Sequence, residues 1–200
     1  MTLSNAVTSS RIVLSPLFFV AFFLPRWFDL SEVVSLVILW ILFALIEASD
    51  LADGAIARRL SQTSDTGKLL DPFADSLSRL TYFLCFTMAD IMPVWIFLIL
   101  LYRDLGVGFI RLMILRRGVT LSARLSGKLK AWIYAFAGIA GLVDFTARVA
   151  GFGATSSSVI GAATSGCFYA AGAIAIWSFF DYLSFLLKSR GITPHSDSDT

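Results

Sequence analysis

Apolar runs of about twenty residues leave a chain few options. In lipid the backbone must satisfy its own hydrogen bonds, so such runs become helices that cross the bilayer. This sequence holds six of them, from about Ala6 to Pro25, Ser31 to Arg59, Lys68 to Met88, Pro93 to Arg117, Leu125 to Ala150 and Ser158 to Lys188. The breaks are PRW, SQTSDTG, ADIMP, RRGVTLS and GFGATSSS, each carrying the Pro, Gly or Ser/Thr of a turn. The expectation is an all-α, polytopic integral membrane protein with six transmembrane helices. Composition agrees, since 57% of residues are apolar and only 15% are charged, against about 25% charged in an average soluble domain. Residues 1–190 read as a single membrane domain and residues 191–200 as a polar tail.

Several classes drop out early. The start, MTLSNAVTSSR, lacks a basic segment, and the first apolar run is followed by PRWFD without a small-residue cleavage site, so a retained helix is expected. Cys85 and Cys167 lie far apart in apolar runs, and His195 is the sole histidine. That count excludes a Cys/His zinc site and leaves two inert thiols. With the N-terminus in the cytoplasm, only Arg26 and Arg148 of the 16 Lys and Arg fall towards the outer ends. The bias puts both termini and the turn between the second and third helices on the cytoplasmic side.

That turn is where the chemistry concentrates. Residues 50 to 75 read DLADGAIARRLSQTSDTGKLLDPFAD, with four aspartates between two apolar runs. Asp50 and Asp53, at i and i+3, share one helix face; Asp71 and Asp75, at i and i+4, share a face of the next. An antiparallel hairpin brings both pairs to one membrane depth, where unpaired carboxylates would repel strongly. Divalent cations remove that difficulty, and hard oxygen ligands suit Mg²⁺, Mn²⁺ or Ca²⁺. Two such ions would suit a phosphoryl or diphosphate substrate. Gly54 allows close approach, Ala57 keeps the next turn small, Arg58 can return to the side of Asp50 and fork onto phosphate, and Gly67 opens the second half of the site. A plainer alternative has Arg58, Arg59, Lys68 and Arg79 pair with these acids as interfacial salt bridges.

Taken jointly, the residues spell D-x2-D-G-x2-A-R-x8-G-x3-D-x3-D. A given register matches these positions by chance on the order of once in a billion. The pattern resembles the signature of the CDP-alcohol phosphatidyltransferases, whose members have six transmembrane helices. The resemblance implies two metal ions, Mg²⁺ or Mn²⁺, held by Asp50, Asp53, Asp71 and Asp75, with Asp75 also the general base. It implies contacts from Gly54, Ala57, Arg58 and Gly67 to the cytidine diphosphate of a CDP-linked lipid, an alcohol as acceptor and CMP as leaving group. It further implies a homodimer in the cytoplasmic (inner) membrane, with the active site facing the cytoplasm.

A second polar set falls on the fourth and fifth helices: Arg103, Asp104, Arg111, Arg124, Lys128 and Lys130. Arg103 and Arg111, eight apart, share a face, and an arginine so deep should meet an anion in a polar cavity. The alternative is that Arg103 simply pairs with Asp75, Asp104 or another internal acid. NAVTSSRIVLSP, RDLGVGFIR and SGKLKAW are similar to the N-x2-T-x2-R-x4-P, R-E-x6-R and G-K-x-K segments of the phosphatidylglycerophosphate synthase branch. By that similarity CDP-diacylglycerol is the donor and glycerol 3-phosphate the acceptor, its phosphate held by Arg103, Arg111 and Lys128 with Thr8. The chain departs from the branch at Ser76, where Lys is common, at Asp104, where Glu is usual, and at Glu47, an extra acid. Those departures leave other acceptors open: inositol phosphate, inositol, serine or a second lipid, or the reversed roles of a choline or ethanolamine phosphotransferase. A cation transporter is a different alternative, but its acids should form a chain across the bilayer rather than cluster at one face.

Overall fold

The computed structural model describes the backbone of residues 3–60, 65–116 and 125–189, and side chains over 8–50, 71–114 and 125–188. These residues form six helices and no strands: α1 (Leu3–Phe28), α2 (Glu32–Leu60), α3 (Asp65–Met88), α4 (Val94–Arg116), α5 (Leu125–Val149) and α6 (Ala154–Ser189). The polar tail, 191–200, lies outside the described residues.

α1 and α3 start three residues before the expected Ala6 and Lys68, and two further ends differ in instructive ways. The first helix does not stop at PRW: Pro16 and Pro25 are both inside α1. Proline removes one backbone donor, and apolar packing on either side keeps the helix going until Asp29 turns left-handed at φ 51. GFGATSSS is not all turn, because α6 already begins at Ala154. Residues 150–153 make the reversal, with Gly151 at φ 67, and Ser157 N–H bonds Gly153 O at 3.0 Å to start the helix. In the ADIMP break, Asp90 takes φ 55. Short polar side chains tolerate that region better than bulky ones do.

Of the six helices, four are long and apolar enough to cross a membrane: Thr8–Phe28 in α1, Glu32–Asp50 in α2, α5, and Ala154–Lys188 in α6. The sequence leads to an expectation of six spans, and among the described residues four of the six helices have the length and apolarity of one. The two that fall short, α3 and α4, carry Asp71, Asp75 and Arg79 or Arg103, Asp104 and Arg111 in mid-helix. Their charges have inward partners, so the same residues that build the site lower the apolar signal.

α1 packs on α2 and α3, and α6 packs on α4 and α5. Between these groups lies an aromatic core. Tyr82 and Phe83 of α3 are fully buried, and Tyr82 meets Phe18 of α1 at 6.3 Å and Phe43 of α2 at 5.3 Å between ring centroids. Phe83 meets Tyr134 of α5 at 5.6 Å and Phe168 of α6 at 6.2 Å, both edge-on. Val13, Val33, Phe109, Trp132 and Phe180 instead face outward, each more than half exposed. In a bilayer that surface gains nothing by burial, so helix association depends on close packing. Gly141 of α5 shows how close. A Cβ there would lie 2.6 Å from Phe86 ring atoms and 3.1 Å from Phe168.

Gly141→Ala is therefore expected to cost about 1–3 kcal/mol through overpacking, read as a lower melting midpoint in detergent. Gly166→Ala on α6, where nothing stands within 4 Å of the added carbon, should leave the midpoint unchanged or slightly raised.

Candidate active site

The α2–α3 hairpin and the start of α1 meet at one end of the bundle. Arg11 of α1 is 1% exposed. Its Nη1 donates to Asp50 Oδ1 at 2.8 Å, and its Nη2 lies 3.6 Å from Asp71 Oδ1. Arg79 of α3, 3% exposed, sets Nη2 between Asp50 Oδ2 at 3.1 Å and Asp75 Oδ1 at 3.0 Å. Thr8 Oγ1 donates to Asp71 Oδ1. Two buried guanidiniums thus draw three carboxylates from two helices together, and the carboxylates, 26–43% exposed, open outward above them. Beneath, Ser15 of α1 donates to Ser78 of α3 at 2.9 Å, which pins the helices at the depth of the two arginines. Breaking a buried pair by removing one partner is costly, because the other charge is left uncompensated.

The plainer alternative, pairing of the acids with arginine, is thus partly realised. Arg79 is the pairing partner expected from the sequence. Arg11 is visible there only as part of the N-x2-T-x2-R-x4-P start. Among the described residues no three acids stand close enough to enclose an ion. Asp53, Gly54, Ala57 and Arg58 fall in α2 and Gly67 in α3, but what surrounds them lies outside the described side chains. Glu47, one turn before Asp50, receives the Tyr82 hydroxyl at 3.5 Å and is within electrostatic range of Arg79, Asp50 and Asp75.

The second basic set is assembled by α4, α5 and α6. Arg103 is buried. Its Nη1 bonds Asp104 Oδ1 at 2.8 Å and its Nε donates to Ser178 Oγ at 2.9 Å. Nη2 of the same group is buried without a hydrogen-bond partner among the described residues. Lys130 Nζ lies 2.9 Å from Asp104 Oδ1 and donates to Oδ2 at 3.0 Å, so one carboxylate serves two cations. Arg111 Nη2 donates to the Tyr182 hydroxyl at 2.8 Å. The guanidiniums of Arg103 and Arg111 lie 5.9 and 5.2 Å from the Tyr182 ring centre, so the two arginines do share a face. Lys128 is exposed, whereas Lys130, two residues on, is the buried member of the cluster. Thr8 is on the Asp71 side, not in this cluster.

The two clusters are close. Lys130 is 4.4 Å from the Tyr134 ring centre, Tyr134 packs on Phe83, and Lys130 is within electrostatic range of Asp75 and Arg79. Among the described residues Arg103 and Lys130 are buried around Asp104, Arg111 is half-buried beside Tyr182, and Asp181, next to Tyr182 on α6, accepts from Ser126 at 2.6 Å. The buried Nη2 of Arg103 is costly unless a polar group meets it. A separate cavity of about 460 Å³ lies at the other end of the bundle, lined by Phe22, Arg26, Asp29, Glu32, Met88 and Phe145 among others. It contains neither cluster.

Comparison with known proteins bears on these two clusters. The chain is similar to the CDP-diacylglycerol–glycerol-3-phosphate 3-phosphatidyltransferase of Treponema pallidum (strain Nichols), at 36% identity over 67% of this chain and 65% of that protein. The protein of the same name from Bacillus subtilis (strain 168) is 31% identical over 65% of this chain and 70% of its own length. The cardiolipin synthase (CMP-forming) of Streptomyces coelicolor is 36% identical over 52% of this chain and 47% of that protein. The chain therefore spans about two thirds of the two first-named relatives and about half of the third. Residues 1–177 match the family model described as CDP-alcohol phosphatidyltransferase. With that match over most of its length, and with the aspartates of the motif's two helices drawn to one end of the bundle, the chain belongs to the CDP-alcohol phosphatidyltransferase family.

Proposed function

We propose that this protein transfers the phosphatidyl group of CDP-diacylglycerol to the free hydroxyl of glycerol 3-phosphate, giving phosphatidylglycerophosphate and CMP. The observation that carries the reading is the convergence of Asp50, Asp71 and Asp75 on Arg11 and Arg79, beside a second cluster built on the buried Arg103 and Lys130. The first cluster suits a diphosphate donor and the second suits a phosphorylated acceptor. The names of the Treponema and Bacillus relatives support the same pair of substrates.

Family membership goes with use of a divalent metal. The donor chemistry fits: Asp50, Asp53, Asp71 and Asp75 offer only hard oxygens, and two Mg²⁺ or Mn²⁺ ions are the proposed complement. When bound, such ions offset the charge of the diphosphate and of departing CMP. Asp75 takes the proton of the attacking hydroxyl as its oxygen bonds to the phosphorus next to the diacylglycerol and the phosphorus–oxygen bond to CMP breaks. A carboxylate suffices as base when proton loss and attack are concerted. Before an ion enters, Arg79 holds Oδ1 of Asp75. Thr8 and Arg11 orient Asp71. Gly54, Ala57, Arg58 and Gly67 are assigned to the cytidine diphosphate. Arg103, through its unpaired Nη2, and Arg111 are assigned to the acceptor phosphate, with the exposed Lys128 at its entrance.

The membrane setting is part of the proposal: six crossings, a cytoplasmic active site in the inner membrane, one membrane domain over 1–190, and a homodimer. A second reading has another lipid as acceptor, and the Streptomyces relative favours it over the remaining alcohols.

Purified protein given CDP-diacylglycerol, Mn²⁺ or Mg²⁺ and labelled acceptors should yield phosphatidylglycerophosphate and CMP with glycerol 3-phosphate. Product with phosphatidylglycerol but none with glycerol 3-phosphate would transfer the assignment to the second reading. Asp75→Asn should remove most turnover while CDP-lipid binding, measured by direct titration, stays near wild type; unchanged turnover would rule it out as the base. Arg103→Ala should raise the acceptor KM more than the donor KM, whereas equal effects would mark a purely structural pair.

A further inference from the structure

Arg79 is placed where a cation bound by Asp50 and Asp75 would also have to act. A single nitrogen, Nη2, lies 3.1 Å from Asp50 Oδ2 and 3.0 Å from Asp75 Oδ1, so one guanidinium group bridges α2 and α3 through the oxygens most useful to an ion. The other terminal nitrogen, Nη1, is buried and has no hydrogen-bond partner among the described residues. Close by is an acid that the reaction does not use. Glu47 is half-buried on α2, takes the Tyr82 hydroxyl and interacts electrostatically with Arg79. Arg79 therefore has two acidic neighbourhoods and a donor to spare.

We propose that Arg79 is a positioning residue that stands in for the divalent ion. It holds Asp50 and Asp75 together while no ion is bound, and its guanidinium passes to Glu47 when the ion takes those oxygens. The inference rests on the reading of the aspartate cluster as the metal site. It also gives the extra acid beside the motif a purpose, since Glu47 keeps Arg79 compensated when the aspartates are otherwise engaged. A buried guanidinium deprived of its acids would be costly, so the resting place lowers the barrier to ion entry. Arg79 and an ion compete for the same oxygens, and a placeholder of this kind weakens ion binding while it stabilises the ion-free fold. Linkage requires both effects together, because whatever destabilises only the ion-free folded state tightens ion binding by the same factor.

The test uses the full chain in detergent and Mn²⁺ as the probe, with affinity read from free-Mn²⁺ electron paramagnetic resonance and stability from melting midpoints. Arg79→Gln should melt several degrees below wild type in EDTA, recover most of that deficit in saturating Mn²⁺, and bind Mn²⁺ about tenfold more tightly, as expected when a unit positive charge leaves a partly dry site. Glu47→Gln should weaken Mn²⁺ binding severalfold in the wild-type background and have little effect in Arg79→Gln. A deficit of the same size with and without Mn²⁺, or weaker Mn²⁺ binding by Arg79→Gln, would overturn the proposal, as would an equal effect of Glu47→Gln in both backgrounds. Should Arg79→Gln not fold even in Mn²⁺, Arg79→Lys decides. Its ammonium reaches less far than the guanidinium and holds the two carboxylates less closely, so tighter Mn²⁺ binding supports the placeholder and unchanged or weaker binding removes it. No Mn²⁺ binding by the wild type would instead defeat the metal-site reading itself.

Discussion

Two guanidiniums buried under a ring of carboxylates are the interaction on which the rest of this structure depends. Arg11 reaches from α1 and Arg79 from α3, and between them they touch aspartates of α2 and α3. Three helices are thereby fixed in rotation and in depth. Apolar contacts could not do this in lipid, where a leucine is as comfortable against an acyl chain as against a neighbouring helix. Ion pairs in a dry interior tolerate little displacement, because removing either partner strands a charge. The aromatic layer of Phe18, Phe43, Tyr82 and Phe83 fills the space behind them and sets the spacing.

The second cluster follows the same logic with the signs reversed. Asp104 stands between Arg103 and Lys130, and Tyr182 lies against both Arg103 and Arg111. Arg103 keeps a buried terminal nitrogen without a hydrogen-bond partner among the described residues, and that donor is the physical basis for assigning an anion to that place. Tyr134 lies against Lys130 and packs edge-on to Phe83 of α3, so an aromatic contact joins the basic cluster to the helix that carries Asp75 and Arg79, which is the relation a phosphorylated alcohol would need to one site while its hydroxyl addresses the other.

Much of this is legible in the sequence, for reasons that can be stated. Long apolar runs interrupted by Gly, Pro and short polar residues have few foldings in lipid, so the six helices and most of their ends follow from the order of residues alone. Pro25 misleads because a proline interrupts one hydrogen bond and not the packing around it. ATSSS misleads because small polar residues suit the first turn of a helix as well as a loop. Spacing gives the shared faces of Asp71 with Asp75 and of Arg103 with Arg111. It cannot give the rotation of one helix against another. For that reason spacing does not tell that Lys130 rather than Lys128 is the lysine buried against Asp104, or that Thr8 donates to Asp71. Arg11 stands far from the motif in sequence, and only the bundle brings it to Asp50. The surroundings of Asp53, Arg58 and Gly67 lie outside the described side chains, so their roles still rest on the motif and the proposal.

The length of α6 has a consequence for traffic between phases. Its 36 residues extend about 54 Å at 1.5 Å per residue, nearly twice the roughly 30 Å of a hydrocarbon core. A rod that long exceeds the thickness of the oily slab, and Ser178 and Tyr182, late in α6, carry Arg103 and Arg111 beside them. On the proposed function, a sugar-sized phosphate would dock there from water and a nucleotide would diffuse away, while the lipid's two fatty tails would stay in the leaflet. The enzyme would then work as a quay at the shoreline, where cargo from the aqueous side meets a lipid that stays afloat.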